Sequence, residues 1–156
     1  MKNMYGKELK FPEDVHYSEE LLWVKKLDGN MIRVGVSDLG VKAVKELVHV
    51  NVTAGKNAQV AKGDLLGQIE TTKGVWEIIA PLSGTIIEIN PPIVQGNAIP
   101  IQNDNYGRGW IIEMEMADDS DLNTLRNGSE EETKKWVQEK AEEVVPLMDE
   151  EDDDDY

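Results

Sequence analysis

Leu65-Leu66-Gly67-Gln68-Ile69-Glu70-Thr71-Thr72-Lys73-Gly74-Val75-Trp76-Glu77-Ile78-Ile79-Ala80-Pro81-Leu82-Ser83-Gly84 is the stretch whose reading decides the fold. Leu65–Glu70 and Val75–Ala80 are short runs rich in branched and aromatic residues, the composition of half-buried strands. Thr71–Gly74 between them reads as a tight turn, and Pro81–Gly84 as the next turn, leading into the strand Thr85–Asn90. Pro91 and Pro92 end that strand because they fix φ and withhold backbone donors. Upstream, Val60-Ala61-Lys62-Gly63-Asp64 is a further turn. Lys73 stands at the hairpin tip, ten residues after Gly63 and eleven before Gly84, so two similar strand–turn units are related about it. A two-fold β-sandwich with a lysine at its apex follows. Such a lysine is exposed, has a long flexible stem, and can be acylated without burying its charge. On its own, it is also an ordinary solvated turn residue.

Outward from the hairpin, Leu22–Leu27 and Met31–Val36 flank Asp28-Gly29-Asn30, a hairpin signal because Gly and Asn tolerate positive φ. Ser37-Asp38 caps a short helix to about Leu47, weakened by Gly40, and Leu47–Val52 is a strand. Residues 95–109 read as a loop and Trp110–Met116 as a closing strand. Asp118–Asn127 is expected to be a helix stopped by Gly128, after which Ser129 and Glu132 make a capping box. The next helix sets Trp136, Val137, Ala141, Val144 and Val145 on one stripe packed against the β-unit, and Pro146 ends it. The expected organisation is an arm over 1–15, a β domain over 16–117, helices over 118–147 and an acidic disordered tail over 148–156.

Composition narrows the function. The 156 residues are 40% hydrophobic, enough for one modest core, and carry a net charge of −15. Seven consecutive acids, Asp149 to Asp155, supply nearly half of that charge. An acidic surface argues against nucleic-acid binding. Apolar runs such as Leu21–Val24 are far too short to span a bilayer, and Met1–Lys10 has no apolar segment of the kind a secretion signal needs, so a soluble cytoplasmic protein is expected. With no cysteine, any sulfur chemistry has to arrive on a cofactor. The two histidines, His16 and His49, form no HExxH, and no serine sits in a GxSxG elbow. His49 reads as structural, and Gly107-Arg108-Gly109 as a loop rather than a dinucleotide site. Carboxylates are abundant but not visibly paired. The chain does not read as a self-sufficient enzyme.

The string Ile69-Glu70-Thr71-Thr72-Lys73-Gly74, with Gly84 eleven residues after the lysine, resembles a lipoyl-attachment hairpin. Biotin carriers share this geometry but usually flank the lysine with methionines, where this chain has Thr72 and Gly74. Together with Ile32–Asp38, Gly84–Asn90, Asn103–Trp110 and the helical C-terminus, residues 16–147 resemble the glycine cleavage system H-protein family. The resemblance implies a mainly β fold, a barrel-sandwich hybrid with C-terminal helices. It also implies lipoate in amide linkage on Lys73, with Glu70, Gly74 and Gly84 shaping the hairpin. The implied partners of a monomeric carrier are glycine decarboxylase, aminomethyltransferase, dihydrolipoamide dehydrogenase, and a lipoate ligase or lipoyltransferase. The carrier itself would be a non-enzymatic subunit that shuttles the aminomethyl group of glycine.

The chain departs from the family pattern around the implied cleft. Leu21-Leu22-Trp23 stands where His-Glu-Trp is usual, so Leu22 replaces an acid. Ala43 stands where the family often has His, and Val75-Trp76-Glu77 is expected to set a large indole beside the arm. Leu22, Ala43, Trp76 and Glu77 are therefore the cleft candidates. Leu and Trp cannot accept a proton, so such a cleft suits an apolar or sulfur-bearing adduct better. An H-like lipoate carrier of a sulfur-oxidation pathway with heterodisulfide-reductase-like partners is the alternative. An unmodified structural or regulatory binding module is the alternative of another class.

Overall fold

The computed structural model describes residues 9–44 and 46–153, with side chains over 9–42 and 46–143. Strands β1 (His16–Tyr17), β2 (Leu22–Lys26) and β3 (Met31–Val36) open the fold, followed by helix α1 (Asp38–Val44) and strand β4 (Leu47–Val52). Next come β5 (Gln59–Val60), β6 (Leu65–Thr71), β7 (Gly74–Ile79) and β8 (Gly84–Ile89). Short helices α2 (Pro91–Val94) and α3 (Ile99–Asp104) precede β9 (Ile112–Met116). A 3₁₀ turn (Asp119–Thr124), β10 (Arg126–Asn127) and helix α4 (Glu131–Asp153) complete the chain. One sheet has the order β10-β1-β2-β3-β9-β8-β5 and the other the order β4-β6-β7, all neighbours antiparallel.

Alternation along the strands builds the core. Leu22 and Val24 of β2, and Ile32, Val34 and Val36 of β3, are fully buried. They meet Val50, Leu66, Ile69 and Ile78 of the smaller sheet in one cluster. The outer face of the large sheet is closed differently. Tyr17, Trp23, Trp136 and Val137 pack together with Val15, and the Trp23 indole donates to the Asn105 carbonyl at 2.9 Å. Trp136 is 7% exposed, with the Arg126 guanidinium 4.7 Å from its ring centre, so it anchors the core as expected. Val144 and Val145 of the expected stripe lie outside the described side chains.

Several elements differ from the sequence reading. Residues 99–104 form α3 rather than loop, because Pro100 sits in the first turn, where its missing N–H costs nothing. The stretch 118–127 is a 3₁₀ turn capped by the Asp118 carboxylate on the Ser120 N–H, after which β10 extends to pair with β1. The large sheet thus takes an edge strand from the stretch assigned to the C-terminal helices. No capping box forms: Ser129 Oγ donates to Asn127 Oδ1 at 2.8 Å, and α4 starts at Glu131. α1 stops at Val44, short of Leu47. α4 runs through Pro146 to Asp153, since one proline removes a single bond from a helix otherwise rich in strong helix formers. The acidic run, expected to be disordered, continues that helix as far as Asp153, and residues 154–156 lie outside the described chain.

The arm is clamped along residues 9–17. Leu9 is fully buried with Leu39 of α1 and Ala141 of α4. The Lys10 N–H donates to Asp38 Oδ2 at 2.7 Å, and its carbonyl accepts from the Tyr106 hydroxyl at 2.6 Å. The same hydroxyl accepts the Asp38 N–H at 3.0 Å, while Tyr17 Oη donates to the Pro12 carbonyl at 2.7 Å. Burial holds both phenols well above the ordinary tyrosine value. Because the neutral phenols are favoured in the folded state, their contribution is complete below pH about 10 and is lost as pH rises beyond it. Alkaline titration should show Tyr17 and Tyr106 ionising only together with loss of the folded circular-dichroism signal. Ionisation of every tyrosine at its ordinary value with the fold intact would contradict this packing.

Candidate functional site

The β6–β7 register sets Thr71 opposite Gly74, so Thr72-Lys73 is a two-residue turn, as the sequence predicts. Thr71 Oγ1 accepts the Lys73 N–H at 3.1 Å and donates to the Gly74 carbonyl at 3.2 Å. The Thr72 N–H donates to the Glu46 carbonyl at 3.3 Å, tying the tip to the segment that enters β4. Gly74 has φ +146°, a conformation that L side chains rarely adopt. Lys73 is exposed, and its ammonium has no hydrogen-bond or ion-pair partner among the described residues. Sequence reasoning does not single out Thr71 or Glu46. A threonine opening a tight turn is the available signal for Thr71, whereas the Glu46 contact depends on tertiary placement.

Cross-strand pairing decides which neighbours surround the tip. Val50, Ile69 and Trp76 share one row, with Val50 and Ile69 buried and Trp76 half-buried against the main core. The next row, His49, Glu70 and Val75, faces outward. Val75 is 60% exposed, and Val48, in the irregularity between Leu47 and His49, is 61% exposed. The tip is therefore flanked by exposed valines on the two outer strands. The His49 ring lies over Gly96, consistent with a structural role. His16 is half-buried at β1, where burial lowers its pKa and the charge of Glu130 opposes the shift. Among the described residues no cluster of three or more metal-ligating side chains occurs.

The remaining expected site residues occupy different parts of the fold. Glu70 lies exposed one residue before the turn segment, as a hairpin residue should. Gly84 instead begins β8, where a side chain would strike the Glu115 carbonyl, so it serves the β8–β9 approach rather than the hairpin turn. Leu22 is completely buried opposite Val36 and lines no open cleft, because it occupies an inward position of β2. Trp76 is half-buried and packs against the main core on the same face as Ile78, a consequence of strand alternation. Glu77 is exposed opposite Gln68. Ala43 lies on α1, with its side chain outside the described set.

The model of the glycine cleavage H-protein family matches residues 15–146. A glycine cleavage system H protein of Carboxydothermus hydrogenoformans is 30% identical over 131 residues, covering 84% of this chain and 97% of that protein. One from Coprothermobacter proteolyticus is 34% identical over 122 residues, covering 78% and 94% respectively. The crystal structure of a glycine cleavage system H protein from Mycobacterium marinum aligns with a TM-score of 0.62 at 30% identity, covering 73% of this chain and 99% of that one. The two antiparallel sheets and C-terminal helix are the expected barrel-sandwich hybrid. Matched over most of its length by both sequence and fold, the chain belongs to the glycine cleavage H-protein family.

Proposed function

We propose that this protein is a lipoyl carrier with lipoate joined by an amide to Nζ of Lys73, serving the cleavage of glycine. The observation that carries this reading is the exposed, unpartnered ammonium at a two-residue turn. Acylating Lys73 removes one charge without breaking an ion pair among the described residues. Lipoate supplies a dithiolane able to accept a carbon unit and two electrons, chemistry this cysteine-free chain lacks. The chain's own task is positioning. Thr71, Gly74 and the Glu46 carbonyl hold the turn, and exposed Val48 and Val75 offer apolar surface near the base of an acyl chain. Tethering raises the effective concentration of the carried group at each docked enzyme. The enzymes in this reading are a pyridoxal-phosphate glycine decarboxylase, a tetrahydrofolate-dependent aminomethyltransferase and dihydrolipoamide dehydrogenase, with a lipoate ligase or lipoyltransferase loading the arm.

A carrier of a sulfur-bearing cargo is the second reading. Leu22, sealed in the core, supplies no carboxylate to hold a protonated aminomethyl adduct.

Intact-mass measurement of protein made in a lipoylation-competent host should show one lipoyl increment, absent from Lys73→Arg. Unmodified wild-type protein would overturn both carrier readings in favour of a binding module. The loaded protein should then support exchange of labelled bicarbonate into glycine by glycine decarboxylase. Failure beside an active control H protein would leave the sulfur-bearing cargo as the reading.

A further inference from the structure

Away from Lys73, the clamped arm and α4 enclose a cavity of about 200 Å³. Its apolar walls are Phe11, Tyr17 and Val137, the two rings meeting edge to face with centres 5.8 Å apart. The Tyr17 hydroxyl is turned away to the Pro12 carbonyl, so the ring contributes apolar surface. The volume suits a single ring, since an apolar cavity of roughly 150 Å³ accepts benzene.

Two polar features make this more than a packing gap. Thr133 lines the cavity and is only 3% exposed, yet its hydroxyl has no hydrogen-bond partner among the described residues. The hydroxyl is not sealed from the cavity, so a molecule bound there can hydrogen-bond to it. At the rim, Lys134 Nζ contacts Glu13 Oε1 at 2.8 Å and Glu131 Oε1 at 3.7 Å. Glu13 Oε2 has no partner among the described residues. Asp14 lies close enough to act on Tyr17, and Glu130 adjoins Glu131 at the start of α4. Among the described residues Glu13 is the one carboxylate lining the cavity, beside Lys134, and Asp14 is paired with Lys25 at 3.8 Å. The acids Glu13, Asp14, Glu130 and Glu131 thus outnumber the bases Lys25 and Lys134 in this neighbourhood, on a chain of net charge −15. Such a field concentrates cations and repels anions.

The geometry points to a binding site for a small primary amine with a single-ring or short branched apolar body. The body fills the space between Phe11, Tyr17 and Val137. The ammonium donates to the Thr133 hydroxyl and to Glu13 Oε2, with its charge near the aromatic rings. This site is independent of any modification at Lys73.

NMR titration of the full-length protein with benzylamine, benzyl alcohol and benzoate tests it. Benzylamine should give saturable shifts confined to Phe11, Tyr17, Thr133, Val137 and their neighbours, binding more tightly than benzyl alcohol, with benzoate weakest. Glu13→Gln should weaken benzylamine roughly threefold, the scale of one exposed charge interaction. Thr133→Val, a near-isostere that keeps the fold, should weaken it roughly fivefold, the scale of one hydrogen bond. Absence of saturable shifts would overturn the proposal. So would benzoate binding as tightly as benzylamine, or both variants binding benzylamine unchanged.

Discussion

The display of Lys73 depends on the burial of Ile69. Its side chain enters the core between Val50 on one neighbouring strand and Trp76 on the other, and this row sets the register of all three strands. Burying an isoleucine stabilises by about 1.5–3 kcal/mol, whereas each hydrogen bond at the tip contributes only about 0.5–1.5 kcal/mol. The core therefore sets the register and the turn follows it. A slip of one residue would drive Glu70 and Gln68 inward, so the alternative pairing is strongly disfavoured. With Ile69 in place, Thr71 meets Gly74 and the lysine can occupy only the turn.

The opposite side of the molecule follows a different logic. The large sheet cannot cover its outer face with strands, so Trp23, Tyr17 and Trp136 do so, and α4 and the arm are held against them. The Tyr106 hydroxyl and Asp38 tie Lys10 to the start of α1, while Leu9, Leu39 and Ala141 join the arm, α1 and α4 in a small second core.

Features carried by short-range pattern are legible in the amino-acid sequence. The Asp28-Gly29-Asn30 hairpin, the Thr71–Gly74 turn and the Trp136 anchor all follow from local periodicity and turn chemistry. Features that depend on distant partners are not. β10 exists because Arg126 and Asn127 find Tyr17 and His16, and the arm is ordered by residues as distant as Tyr106. Two of the cleft candidates, Leu22 and Trp76, take up core positions for a related reason. Motif position puts Leu22 and Trp76 beside the lysine arm, but strand alternation turns both towards the core. α3 is obscured because the Gly, Asn and Asp around it signal loop, while Pro100 in a first turn equally permits helix.

Moving the lysine by one position tests the register-dependent display most directly. A double variant, Thr72→Lys with Lys73→Thr, keeps composition and charge and leaves the inward residues Ile69, Trp76 and Ile78 untouched. Peptide-resolved mass spectrometry after exposure to a lipoylating enzyme should find the wild type modified at residue 73 alone and the folded double variant unmodified. Equal lipoylation at position 72, or modification of another lysine in the wild type, would contradict the dependence on register.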